Sequence, residues 1–475
     1  MKNLPLHLVS VLLASAALGL PRLVADGRDD ISQLRTQIDA LEQKVRVLEQ
    51  KQKLKDEYAD AAAKAAPKVS FNDDGLVVAA DGTNSFHLGS LVQLDSREFL
   101  DDGGGVANNS FILRRARLVL DGRLDKIYSF QFVPEFGNGS GGNATAVSVL
   151  DANLTVAPTQ AVQFKFGKFK APIGLEELQG DPATFFVERS LVTNLEPNRD
   201  LGAEVLGSFK GGVLSYSAGL FNGTPDALST SGNSDFDNDK DVIVRLFSQP
   251  WVNDKESPLH GLGFGVAGSL GREKTHSAVT SGYKTAGQQT FFSYNSAVYA
   301  DGDVWRVSPQ AYYYAGRFGA LAEYVVSTVN ARPAAPPANP ASAFPAKVQV
   351  ENRAWAVTAG CVLTGETATY AGVTPAAPFS WSDGTWGAWQ VVARFEDLRI
   401  DPKVFQGIAP LASTATSVRE ASGWGIGVNW YLTKSVRVTQ DYFQTHFRRA
   451  GTTAPATQIL RQDEKALVTR VQISF

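Results

Sequence analysis

Alternation of apolar and polar residues decides what this chain can fold into. At its end, Val468-Thr469-Arg470-Val471-Gln472-Ile473-Ser474-Phe475, the residues Leu467, Val471, Ile473 and Phe475 share one parity and Arg470, Gln472 and Ser474 the other. A period of two makes a strand with one greasy and one wet face. The same division recurs upstream. Trp424, Ile426, Val428 and Trp430 alternate with Gly425, Gly427 and Asn429, and Trp389, Val391, Ala393 and Phe395 alternate with Gln390, Arg394 and Glu396. Between the first run, near 86–99, and the last, near 465–475, the alternation predicts sixteen strands.

Composition fits a sheet protein. Hydrophobic residues reach 44% without any apolar stretch of helix-spanning length, which excludes spanning helices. Forty-three glycines and 10% aromatics favour a β-rich chain with many turns. Tight turns such as Asp125-Lys126, Gly211-Gly212 and Thr433-Lys434 alternate with long connections such as 173–200 and 272–302. Short turns on one rim and long loops on the other mark an outer-membrane barrel. We therefore expect an all-β fold, a sixteen-stranded antiparallel transmembrane β-barrel over residues 86–475, preceded by a short coiled-coil helix. The connection 367–384 is long where a short turn belongs.

Residues 1–25 read as a signal peptide, with Lys2 before an apolar stretch from Leu6 to Leu20 and small residues near Ala16, Ala17 and Ala25. Residues 26–66 read as a helical segment. Ile31, Leu34, Ile38, Leu41, Val45 and Leu48 follow 3-4-3-4-3 spacing, a seam with β-branched residues at a and leucine at d. The seam ends where Gln52 and Lys55 occupy the next slots, so it is marginal alone. Ala61 to Pro67 reads as a linker, and 67–85 as a linker to the barrel.

If the apolar parity faces lipid, the other lines a water-filled lumen. That parity carries Arg97, Arg115, Arg117, Arg123, Lys165, Arg245, Arg306, Arg394, Arg437 and Arg470, with Asp95, Asp121, Glu135, Asp151, Glu323, Glu396 and Asp441. Arg115, Arg117 and Arg123 would form a basic stripe that attracts anions without trapping them. Lys165 points inward by strict parity. Lys168 and Lys170 point to lipid unless Gly167 permits a bulge. The 173–200 loop carries Glu176, Glu177, Asp181, Glu188, Glu196 and Asp200 against Arg189 and Arg199. Folded inward, it would set an acidic face across from the basic wall.

Other chemistries find little support. The formal net charge of −3 argues against a nucleic-acid partner. The histidines, His7, His87, His260, His276 and His446, show no metal-ligand spacing, and neither His87 nor His446 has a sequence partner for catalysis. Cys361 falls on the lipid-facing parity and reads as a small apolar residue. No catalytic residue, cofactor or metal is expected.

Phe111-Ile112-Leu113-Arg114-Arg115-Ala116-Arg117-Leu118, Phe166-Gly167-Lys168-Phe169-Lys170-Ala171-Pro172-Ile173-Gly174-Leu175-Glu176 and Phe186-Val187-Glu188-Arg189-Ser190-Leu191 resemble the phosphate-selective porin family of Gram-negative outer membranes. The resemblance extends to Leu363-Thr364-Gly365-Glu366 and Tyr370. It implies a homotrimeric barrel in outer-membrane lipid that passes small hydrophilic or anionic solutes through a basic constriction. Arg115, Arg117, Lys165 and Arg189 carry over as pore residues. Phosphate preference stays open, because the inward loop here is net acidic. A second reading also stays open, in which residues 31–55 contact the cell wall and the barrel serves as their tether.

Overall fold

The computed structural model describes residues 29–65, 67–72, 75–79, 83–100, 107–137, 147–230, 238–273, 282–296, 298–333, 346–407, 409–449 and 462–475. The expected signal peptide lies outside them, as does most of the Pro-rich stretch 332–345. The chain divides into two units, Met1–Ala66 and Pro67–Phe475.

In the first unit, α1 spans Asp29–Ala65 without a break. It runs through Ala61–Ala65, where a linker was expected. The alanines there have the highest helix propensity of any residue, so the helix stops only as Pro67 approaches. All six seam residues are exposed on the single chain.

Among its described residues the second unit holds twenty strands. The first are β1 (Lys68–Asn72) and β2 (Gly75–Ala79). Then come β3 (Ser85–Leu100), β4 (Ser110–Leu124), β5 (Tyr128–Glu135), β6 (Ser148–Val156), β7 (Gln163–Lys170), β8 (Arg199–Phe209) and β9 (Leu214–Phe221). Next are β10 (Asp241–Ser248), β11 (Leu262–Glu273), β12 (Gly282–Lys284), β13 (Thr290–Ser293), β14 (Val298–Ala315) and β15 (Phe318–Pro333). The last are β16 (Val348–Val362), β17 (Ala388–Arg399), β18 (Glu420–Tyr431), β19 (Val436–Arg448) and β20 (Glu464–Ser474). Sixteen of them, β3–β11 and β14–β20, pair antiparallel in chain order, and β20 returns to β3 with Arg470 opposite Asp95. The barrel is closed. Phe475 and Ser90 exchange backbone hydrogen bonds at 2.7 and 3.1 Å, so the chain terminus completes the seam.

The linker expected at 67–85 is instead a hairpin. β1 pairs with β2, and β2 pairs with Ser85–Leu88 of β3, below the point where β20 ends. These five-residue strands are too short to show a periodicity, yet they cover an edge of β3 that would otherwise present unpaired backbone groups. Phe71 of β1 packs edge-on against Phe475 at 5.7 Å.

Outward residues of the later strands form an apolar wall. Trp355, Val357, Val391, Phe395, Ile426 and Val428 are all exposed to the barrel's surroundings. The inner side differs from the wet lumen expected from parity. Val325, Ala354, Ala356 and Leu398 face inward and bury Leu191 of the inward loop together with Phe292 of the β12–β13 hairpin. The long external loops carry enough apolar side chains to build a core within the upper lumen, and small wall residues make room for it.

Candidate functional site: the constriction loop and the cavity beneath it

Between β7 and β8 the chain turns into the lumen. The loop contains α2 (Leu175–Leu178) and two 3-10 turns, Asp181–Ala183 and Leu191–Leu195. Its entry is fixed by Gly167, which takes φ +119°, a conformation that suits glycine. A Cβ there would strike the Ala152 carbonyl oxygen of the neighbouring strand.

The wall holds this loop at many points. Glu188 receives a two-pronged bond from Arg114 (2.7 and 3.0 Å) and further bonds from Arg97 (2.8 Å) and Arg470 (3.2 Å). Asp181 pairs with Arg115 at 3.4 Å, with Arg189 at 2.7 Å and with Arg117. Arg117 also reaches Glu135 at 2.5 Å. Glu176 accepts from Arg394 at 2.6 Å and from the Ser190 amide at 2.8 Å. Wall carboxylates in turn accept loop amides: Glu323 from Leu175 (2.6 Å), Glu396 from Leu191 (2.8 Å) and Asp441 from Val187 (2.7 Å).

Burial alone would raise the Glu188 and Asp181 carboxyls. Arg114, Arg97 and Arg470 overcome it at Glu188, as Arg115, Arg189 and Arg117 do at Asp181, and hold both well below the usual carboxylate range. Glu196 goes the other way. Burial, then the nearby carboxylates of Glu323 and Glu177, push it well above that range.

The acidic loop therefore touches the basic wall instead of facing it across open water. Guanidinium forks fit carboxylates in two-pronged contact, and contact removes the separation on which a transverse field depends.

Below the loop, toward the short-turn rim, lies a cavity of about 900 Å³. Arg117, Lys165, Lys170, Arg199, Arg245 and Lys434 line it, against Asp151, Asp181 and Glu204. Arg199 bonds Asp151 at 3.2 Å, and Glu204 accepts the Ser217 hydroxyl at 2.5 Å. Lys165 has its Nζ 4.3 Å from the centre of the Phe169 ring. Lys170 donates to the carbonyls of Glu177 (2.6 Å) and Gln179 (3.0 Å), and Arg245 to Gln310 (3.0 Å).

The sequence-predicted residues thus separate into groups. Arg115, Arg117, Arg189, Glu176, Glu177 and Glu188 meet in the loop's ion pairs, with Arg189 at 3.5 Å from Glu177. Lys165 and Lys170 line the cavity, Lys170 without any slip in the ladder of β7 with β6 or β8. Lys168 pairs opposite Ala152, outside the cavity lining, and donates to the Val149 carbonyl at 2.8 Å. Arg123 sits exposed near the short-turn rim, opposite Ser85 and Ser129, apart from the basic group beneath the loop. Arg114 was missed. A bulge sets Gln93 opposite Arg115 and Leu94 opposite Leu113, so Arg114 is the extra residue and joins Arg115 on the inner side.

A closed sixteen-stranded barrel with a lipid-facing apolar wall and an inward loop narrowing its lumen is an outer-membrane porin. Residues 86–475 match the family described as phosphate-selective porin O and P. Porin O of Pseudomonas aeruginosa is 24% identical over 430 residues, covering 84% of this chain and 91% of that protein. The outer membrane channel DcaP of Acinetobacter baumannii superposes with a TM-score of 0.51 at 11% identity, over 83% of this chain and 99% of its own. An anion-selective porin from Comamonas acidovorans aligns over 82% of this chain and 100% of its own, with a TM-score of 0.47 and 12% identity. The chain belongs to the phosphate-selective porin O and P family. It is a channel of the Gram-negative outer membrane for small hydrophilic solutes.

Proposed function

We propose that the channel favours anions, and that the cavity beneath the constriction loop is where it does so. One observation carries this reading: Lys165, Lys170 and Arg245 all line the cavity, and none lies within ion-pairing distance of a carboxylate among the described residues. The arginines of the loop's ion pairs are already neutralised, so they add little to the field a passing solute feels. Three partly solvated cations attract an anion without desolvating it fully, which favours entry and still permits release. Phosphate is one such anion, with no preference over others implied by this arrangement.

The family carries the homotrimer in this reading, since β-branched residues at a with leucine at d by themselves favour two strands. An Ile/Leu seam at heptad spacing is buried best against further copies of the same helix, which favours self-association of residues 31–55 over contact with the cell wall. Reversal potential in a salt gradient across a planar bilayer tests the anion preference. A potential of cationic sign would refute it. Native mass spectrometry of the detergent-solubilised protein, with and without residues 29–65, tests the trimer.

A further inference from the structure

The connection between β16 and β17, residues 363–387, is the longest on the short-turn rim, and it has an inner and an outer limb. The inner limb rises beneath the constriction loop. The Ala368 amide bonds the Gly316 carbonyl at 2.8 Å, and Val373 is buried with Val362, Ala388 and Tyr431. Tyr370 stacks on Tyr312 at 5.3 Å and donates its hydroxyl to the Leu175 carbonyl at 2.5 Å. Its own carbonyl accepts from the Gln179 side chain at 2.8 Å.

The outer limb leaves the lumen through Pro375 and Pro378 and closes a small hairpin. Ser380 and Thr385 exchange backbone bonds at 3.0 and 3.1 Å, and the Phe379 amide bonds the Leu432 carbonyl at 2.7 Å. Phe379 packs at 5.2 Å from Trp381, 5.7 Å from Trp386 and 5.3 Å from Trp430. Trp430 stacks on Trp389 at 4.9 Å, and both lie on the outward parity that continues into Val391 and Val428. The aromatic patch is therefore an extension of the lipid-facing wall past the ends of its strands. Trp381 is 79% exposed and Trp386 54%. The turn between them, Ser382-Asp383-Gly384, is polar and exposed.

We propose that the hairpin 379–386 seats in the headgroup region of the periplasmic leaflet and, through the short proline-stiffened limb, holds Tyr370 beneath the constriction loop. The occupant of this surface is phospholipid, because the patch continues a wall that already faces hydrocarbon. Indole rings favour the boundary between acyl chains and water, where an apolar face and an N–H are both satisfied. Proline fixes its own φ, so the limb from Val373 to Phe379 has little slack. The membrane thereby becomes one support of the channel's narrowest part.

The test uses the full chain in phosphatidylethanolamine–phosphatidylglycerol vesicles. Subtracting the emission of a W381S/W386S variant from that of the parent isolates these two of the eight tryptophans. We expect the difference emission to be quenched by lipids brominated near the glycerol and to be shielded from aqueous iodide. In planar bilayers the variant should show at least about twofold more frequent current fluctuations, a change of under 1 kcal/mol in the loop's resting equilibrium. Y370F should reproduce the fluctuations while leaving the quenching intact. Quenching by iodide and not by lipid would overturn the proposal, as would dissociation of the oligomer with lipid quenching absent, which would make the patch a subunit contact. Should the double variant fail to assemble, W381S alone carries the same readout.

Discussion

Arg394 of β17 and Glu176 of the constriction loop, 218 positions apart in the chain, bond at 2.6 Å with both side chains buried. Arg394 also donates to the Glu188 carbonyl at 2.9 Å and lies 4.5 Å from the centre of the Phe186 ring. One guanidinium thus ties together two parts of the loop. R394M would leave Glu176 buried without its counter-charge, a loss of about 3–5 kcal/mol. The expected outcome is a lower thermal midpoint and a larger mean single-channel conductance. Adding E176M to R394M should recover part of the midpoint, because the orphaned charge is then gone.

Selectivity should respond to the cavity cations rather than to the strand β4 arginines. K165E and R245E are each expected to move the reversal potential in a salt gradient toward cations while thermal stability holds. R115E and R117E place a like charge against Asp181 and should lower folding yield first. Equal selectivity shifts from all four substitutions would locate the filter at the β4 stripe.

The loop carboxylates impose opposite pH dependences. Glu188 and Asp181 are held below the ordinary carboxylate range, so their stabilising effect is full above it and is lost only as pH falls through their depressed native values. The arginine pairs of these two carboxylates should therefore persist from neutrality down to about pH 4, with E188Q and D181N losing thermal midpoint relative to the parent throughout that range. Glu196 is raised, so its neutral form suits the fold and stability declines as pH rises through the elevated value. E196Q should match the parent at about pH 4 and exceed it in thermal midpoint at about pH 8.

Gly167 is a backbone requirement at the entrance to the constriction loop. G167A forces a side chain into a left-handed conformation and against the Ala152 carbonyl, at a cost of about 1–3 kcal/mol. Refolding yield into detergent should fall, with the heat-modifiable gel shift of a folded barrel as the measurement.

The barrel was legible in the sequence because lipid enforces parity on every spanning strand. Trp389, Val391 and Phe395 announce their face, and all sixteen barrel strands stand where alternation puts them. The inner side was less so. Parity tells which way Arg394 or Arg470 points and says nothing of the partner it meets, which comes from a loop far away in the chain. Arg114 was hidden by a one-residue bulge. The β1–β2 hairpin was hidden by its brevity, and the apolar upper lumen by small inward residues such as Ala354 and Ala356, whose parity carries no polarity signal. The lengthened connection at 367–384 was visible, yet the contacts of Tyr370 on one side of the rim and the exposure of Trp381 on the other were not.

The wiring of Glu188 has a consequence for biogenesis. Two of its arginines, Arg97 and Arg114, are synthesised before it, whereas Arg470 follows 282 residues later on the strand that zips the seam. A barrel lacking β20 would still hold its throat through Glu323, Arg394, Glu396 and Asp441 on the preceding strands, and would lose the Arg470 clamp on Glu188. The final strand thus sets the last rivet of the throat, and a protein truncated there would keep a narrowed bore with a looser Glu188 segment.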